Sequence, residues 1–141
     1  MVLFVALALV QSMGQVLVAT ENSRDPDLAR SVVLLIHSDP DGVIGVVLNR
    51  PRGESKYFGG PIPMGVRTLA HSGADAQRIL PGVYLVPSAK DTGARVYAGY
   101  VGWSQRQLID EISRRLWKIV PGDASIVFDP HPDTLWQRRS R

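Results

Sequence analysis

The sequence predicts an α+β domain with a mainly antiparallel sheet. Short apolar runs separated by turn residues recur along the chain, and the helical patterns among them are few and unequal. A regular strand–helix–strand alternation, the mark of a parallel doubly wound sheet, is missing. Thirteen Gly and ten Pro in 141 residues favour short elements and many turns. That length suffices for one packed core, and 45% apolar with 21% charged residues fits a globular chain. We therefore expect one domain, without internal repeat or linker.

The elements follow in order. Residues 15–20 (Gln-Val-Leu-Val-Ala-Thr) are β-branched and apolar and read as a first strand. Asp25-Pro26 looks like a helix start, with Asp25 as N-cap and Pro26 at the first helical position, opening a short turn through Arg30. Residues 31–37 (Ser-Val-Val-Leu-Leu-Ile-His) form a nearly continuous apolar run, the pattern of a strand buried on both faces. Asp39-Pro40-Asp41-Gly42 then places Pro where a turn wants a fixed φ and Gly where φ is free. It should join 31–37 to 43–48 as an antiparallel hairpin. Gly45 inside the second strand marks a bulge or a close backbone approach.

Residues 50–65 are rich in Gly, Pro and charge and read as an irregular loop around a short strand at 56–58. Residues 67–71, 83–86 and 96–101 are further strand candidates. The next element is the best-signposted helix. Ser104 and Gln107 have the spacing of a capping box, and Trp103 and Leu108 that of a hydrophobic staple. Leu108, Ile109, Ile112 and Leu116 give it one buried face, and Asp110–Arg114 and Glu111–Arg115 are i,i+4 pairs in the favourable order. Pro121-Gly122 should stop it. Residues 125–128 read as a last strand, and Asp129-Pro130-His131-Pro132 leads into a short terminal helix bearing Leu135 and Trp136.

Composition narrows the chemistry. With no cysteine, disulfides, thiol catalysis and cysteine metal sites are excluded. The formal charge of +3 is modest and sits partly in Arg138, Arg139 and Arg141, a tail that reads either as a solvated end or as a nucleic-acid arm. The opening run Met1–Val10 is of signal-core length, far below the ~20 residues that span a bilayer. It lacks a leading Lys or Arg, so export competes with an apolar terminal segment packed on the core and with a start assigned too far upstream.

The best site candidate is the corner where the apolar strand ends in Asn49-Arg50-Pro51. Its side chains should project to opposite sides, with Arg50 offering a fork to a carboxylate or phosphate. Alternatively Asn49 satisfies turn backbone and Arg50 pairs with an acid such as Glu54. Gly59-Gly60-Pro61 can offer backbone N–H groups to an anion, or simply let two backbones approach; a phosphate loop with its Lys and Ser/Thr is absent.

His37, His71 and His131 are isolated, none in a two-histidine metal spacing, so no metal and no cofactor is expected. His71-Ser72 permits a hydrolase only if the fold gathers an acid and an oxyanion donor around them. Tyr97, Tyr100 and Trp103, beside Gly99 and Gly102, suit an aromatic-walled pocket, a stacking platform for a base, or a packed core. Arg106, Arg114, Arg115 and Lys118 give the helix a basic side, a solvated face or a phosphate-contacting one.

Gln15-Val-Leu-Val-Ala with Asp25-Pro26, Asp41 to Pro51, Gly59-Gly60-Pro61, Ala98-Gly-Tyr-Val-Gly-Trp103 with Gln107-Leu108, and Asp129-Pro with Leu135-Trp136 occur in an order that resembles the YqgE/AlgH family. The similarity spans about residues 14–137, between an apolar extension (1–13) and a basic tail (138–141). The resemblance implies a compact bacterial domain, usually cytoplasmic, on a curved, partly split sheet flanked by helices. Members are often called transcriptional regulators, and the family offers no catalytic residue to carry over. It typically places some twenty more residues between Leu-Asn-Arg-Pro and Gly-Gly-Pro, where this chain has only Arg52 to Phe58. The expectation is a non-enzymatic regulatory or interaction domain, binding a protein or a small anion beside Asn49, Arg50, Gly59, Gly60, His71, Tyr100 and Trp103. The alternative is direct nucleic-acid contact through the basic helix side and the tail.

Overall fold

A computed structural model describes residues 12–73, 76–88 and 92–141. The apolar run Met1–Val10 lies outside them. The strands are β1 (Val16–Ala19), β2 (Val32–Asp39), β3 (Gly42–Val47), β4 (Pro51–Gly53), β5 (Lys56–Phe58), β6 (Ile62–Ala70), β7 (Gln77–Leu80), β8 (Val83–Val86), β9 (Arg95–Trp103) and β10 (Trp117–Val120). The helices are α1 (Gln105–Ser113), α2 (Ala124–Val127) and α3 (Leu135–Arg139), the last entered through a 3-10 turn at Pro132–Thr134. The sheet runs β10-β1-β2-β3-β9-β6-β8-β7, every neighbouring pair antiparallel, while β5, hairpinned to β4, lies parallel to β9. The predicted α+β class with a curled, mainly antiparallel sheet in one domain is what the chain adopts.

β1, β2 and β3 are buried on both faces because their residues alternate between two apolar clusters. Val16, Val18, Val32, Leu34, Val46 and Leu48 join Ile126, Val127 and Leu135 in the first. Leu17, Ala19, Val33, Leu35, Val43 and Val47 join Leu108, Trp103 and Trp117 in the second. Each such side chain contributes on the order of 1.5–3 kcal/mol by leaving water, so the three strands anchor the molecule. The Asp39–Gly42 turn closes the β2–β3 hairpin as predicted, with the Asp39 carboxylate accepting from the N–H groups of Asp41 (2.8 Å) and Gly42 (3.1 Å).

β9 belongs to both clusters. Tyr97 packs in the first, Val101 and Trp103 in the second, although all three have the same strand parity. The change falls at Gly99, whose φ of +78° is a left-handed conformation that glycine tolerates. Nearby, the chain coming from β5 on one edge of β9 reaches β6 on the other by passing over β9 at Gly59-Gly60-Pro61. A Cβ on Gly59 would lie 2.5 Å from the Gly99 carbonyl oxygen, so only glycine fits this crossing.

Several elements differ from expectation. α1 has its capping box and its Trp103–Leu108 staple, but it ends at Ser113 rather than running to Pro121. Arg115 turns left-handed (φ +59°) and residues 117–120 leave to pair with β1 as β10. The edge of β1 recruits this aromatic and β-branched stretch against the helical spacing of Leu116. Residues 125–128 are not a strand: Asp123 caps the Ser125 N–H (2.7 Å) and starts helix α2. A four-residue apolar run has no period that separates the two states. Residues 25–30 form a turn capped by Asp25 rather than a helix. β4, β7 and the first half of β6 carry too little apolar alternation to be seen in advance.

Among the described residues, one buried side-chain group stands without a clear hydrogen-bond partner. The Tyr97 hydroxyl is fully enclosed and has no partner at good hydrogen-bond geometry, and burial pushes its pKa well up although the nearby Arg95 guanidinium opposes the rise. Tyr97→Phe removes an unsatisfied hydroxyl without changing the ring. It is expected to leave stability unchanged or raise it by about 1 kcal/mol. A denaturation midpoint clearly below wild type would show that the hydroxyl has a stabilising partner.

Candidate functional site

The Asn-Arg-Pro corner turns inward. Asn49 Oδ1 accepts from the Val32 N–H (2.9 Å), and its Nδ2 donates to the Arg30 carbonyl (2.9 Å). Arg50 Nη2 donates to the Ala29 carbonyl (2.8 Å) and to Ser31 Oγ (3.2 Å). The two side chains therefore grip the same stretch rather than projecting apart, and Glu54 is not Arg50's partner. Burial lowers the Arg50 pKa from its usual value, with the charge of Arg52 adding and those of Asp27 and Asp25 opposing. An arginine so shifted keeps its charge at any physiological pH.

What the corner holds is Arg30. This residue has a φ of +60°, a left-handed conformation costing a side-chain-bearing residue about 1–2 kcal/mol. In that pose its guanidinium lies over the Trp136 ring, 5.6 Å from the centroid. Trp136 is fixed in turn by donating its indole N–H to the Ala19 carbonyl (2.7 Å). Ala19 and Trp136, 117 positions apart in sequence, thus meet, and Arg30 lies over the indole of the pair.

Trp136 borders two recesses that share Thr20 and Glu21, of about 330 and 570 Å³. The first is also lined by Arg24 and Arg30, the second by Lys118 and Arg141. Together the two recesses make a trough about Trp136 whose lining includes four cationic side chains and one acidic side chain, Glu21. Two of the cations are steadied by backbone oxygens: Arg24 by Glu21 (3.0 Å), and Lys118 by Arg139 (3.2 Å) and Arg141 (2.7 Å). The end of the chain is anchored rather than loose. Arg138 makes a two-pronged ion pair with Asp129 (2.8 Å for each contact), which holds the Asp129 carboxyl below the usual range.

The remaining candidates are scattered. The Gly59 N–H donates to the Ala98 carbonyl (2.7 Å) and its carbonyl accepts from Val47 (2.8 Å), so that amide is not open to an anion. Gly60 is equally buried beneath β9. Tyr100 and Trp103 border a separate groove of about 290 Å³ over Ile44 and Ile62, with the His37–Asp39 pair (2.6 Å) at its rim and Arg67 4.6 Å from the Tyr100 centroid. The Trp103 indole N–H is taken by Glu111 Oε1 (3.1 Å), which also accepts from Trp117 (2.8 Å), so Glu111 is not paired with Arg115.

His71 stacks on Phe128, 3.8 Å between centroids, and among the described residues its ring makes no hydrogen bond to an acid. Arg106, Arg114 and Arg115 are exposed at α1, where Arg114 meets Asp110 at 3.4 Å. Among the described residues no group of three or more His, Asp or Glu is placed to hold a metal ion. No helix among them is long and apolar enough to cross a membrane.

Sequence reasoning missed Arg24, Arg30 and Trp136 as site residues. Nothing local marks Arg30, because the left-handed turn that aims it depends on Asn49, nineteen positions away.

Comparison with known proteins decides the family. The model of the DUF179, AlgH-like family matches residues 16–141. The chain belongs to the AlgH-like family. This AlgH-like chain is 33% identical to a UPF0301 protein of Streptomyces coelicolor, over 91% of itself and 86% of that relative. It is 34% identical to one of Streptomyces avermitilis with the same coverage. The first alignment runs over 170 positions, more than the 141 residues of the AlgH-like chain, so the relative carries stretches that it lacks.

Two solved structures share the fold. Protein DIP2367 of Corynebacterium diphtheriae superposes with a TM-score of 0.79 at 24% identity, covering 90% of this chain and 84% of that one. The AlgH protein of Pseudomonas aeruginosa gives 0.72 at 25% identity, with 92% and 87% covered. Where the spacing after Leu-Asn-Arg-Pro is short, the AlgH-like chain has only the tight β4–β5 hairpin.

Proposed function

We propose that this AlgH-like domain performs no bond chemistry of its own and is a regulatory or interaction domain that takes an anionic partner in the trough across Trp136. The observation behind this reading is the lining of Arg24, Arg30, Lys118 and Arg141 against a single Glu21. Asn49 and Arg50 act as its support, steadying the turn that aims Arg30 instead of touching the ligand. Such preorganisation lowers the entropy lost on binding. A cytoplasmic place and a part in transcriptional control belong to the same proposal. The helix route to nucleic acid is less favoured, because Asp110 stands among the cations of α1.

Calorimetric titration with inorganic polyphosphate at low salt is expected to show saturable binding that weakens steeply as salt is added. Arg30→Glu should weaken it at least about ten-fold, the effect of 1.4 kcal/mol, while Arg106→Glu on α1 should not. Absence of binding at low salt, or an Arg30→Glu variant that binds like wild type, would refute the trough as an anion site.

A further inference from the structure

We infer that the anionic partner of the trough is a single-stranded nucleic acid that lays one base on Trp136. The inference rests on the proposed anion site and adds what the anion carries. Charge alone would suit any polyanion, but the cations here are arranged about an aromatic ring. Arg24 and Arg30 line one of the two recesses that Trp136 borders, and Lys118 and Arg141 line the other. A strand with a base at the ring would bring its preceding phosphate to one pair and its following phosphate to the other.

The two recesses also differ. Arg30 is the guanidinium over the indole, and it lines the smaller recess and not the larger. The recess of about 570 Å³, which Trp136 borders without Arg30, leaves room for a base against the part of the indole that is not packed on the first apolar cluster. Base–aromatic stacking of this kind tolerates any sequence, and an arginine on an aromatic face adds a cation–π term. Gln137 and Ser140 border the same recess and can meet the polar edge of a base. A base paired in a duplex is stacked inside the helix and cannot reach the ring without being flipped out, so an unpaired strand is the fitting partner.

The test is fluorescence anisotropy with four end-labelled probes at low salt: an eight-nucleotide strand, the same strand with abasic sites along its middle, a duplex of the same length, and a single nucleotide. The plain strand is expected to bind at least ten-fold more tightly than each of the others. Trp136→Leu should erase the preference for the plain over the abasic strand. Because Trp136 also ties α3 to Ala19, Trp136→Phe serves as a second variant that keeps a stacking face and should keep the preference.

Equal binding of plain and abasic strands would overturn base stacking, and duplex binding as tight as the single strand would overturn the choice of partner. Single-nucleotide binding as tight as the strand would point to a free nucleoside phosphate. If no probe binds while polyphosphate does, this inference fails and the anion site stands; if polyphosphate fails too, both fall.

Discussion

Gly60→Ala is expected to be among the most damaging single substitutions in the chain. A Cβ at this position would lie 2.2 Å from the Tyr100 carbonyl carbon, 2.3 Å from its oxygen and 2.6 Å from the Val101 nitrogen. All three are backbone atoms of β9, and β9 is hydrogen-bonded along both edges, to β6 on one and to β3 and β5 on the other. A flexible side chain could swing aside; a strand held on both edges cannot. The cost should reach the upper end of the usual overpacking range, about 3 kcal/mol, which in a domain of this size lowers Tm by on the order of 10 °C. Thermal melts followed by circular dichroism would check it. A Tm within about 2 °C of wild type, against the ~10 °C expected, would mean that the crossing is far looser than its geometry.

Asn49→Ala should cost nearly as much, for a different reason. It leaves the N–H of the fully buried Val32 without its acceptor and releases the Arg30 carbonyl. An orphaned buried donor costs about 1–3 kcal/mol, and freeing the left-handed turn at Arg30 adds to that. Asn49→Asp keeps the acceptor and loses the donor, so it should fall between wild type and Asn49→Ala. The same variants should weaken polyphosphate binding although Asn49 does not line the trough. Denaturation curves paired with titrations separate the two effects. Wild-type stability in Asn49→Ala would show that the corner does not hold the turn, and with it would go the account of how Arg30 is positioned.

These two positions also show what was legible in the sequence. The strands at 16–19, 32–39 and 42–47 could be read because apolar runs and an Asp-Pro-Asp-Gly turn are local signals. The capping box at Ser104 was legible for the same reason. The end of that helix was not, since β10 exists only because β1 offers it an edge. Asn49 and Arg50 stood out as a polar corner, but sequence cannot say whether such a corner faces a ligand or its own backbone. Trp136 was seen only as a residue borne on a short terminal helix. Its place under Arg30 depends on contacts made across more than a hundred residues.

The passage of β9 through both apolar clusters bears on how the molecule comes apart. A chain with two cores can melt in two steps if each owns its strands. Here one continuous segment, Arg95–Trp103, supplies Tyr97 to one cluster and Val101 and Trp103 to the other. Withdrawing it from either side disrupts the other, so unfolding should be all-or-none. Amides in the middle of β9 should then exchange with solvent only through global opening and rank among the slowest in the protein.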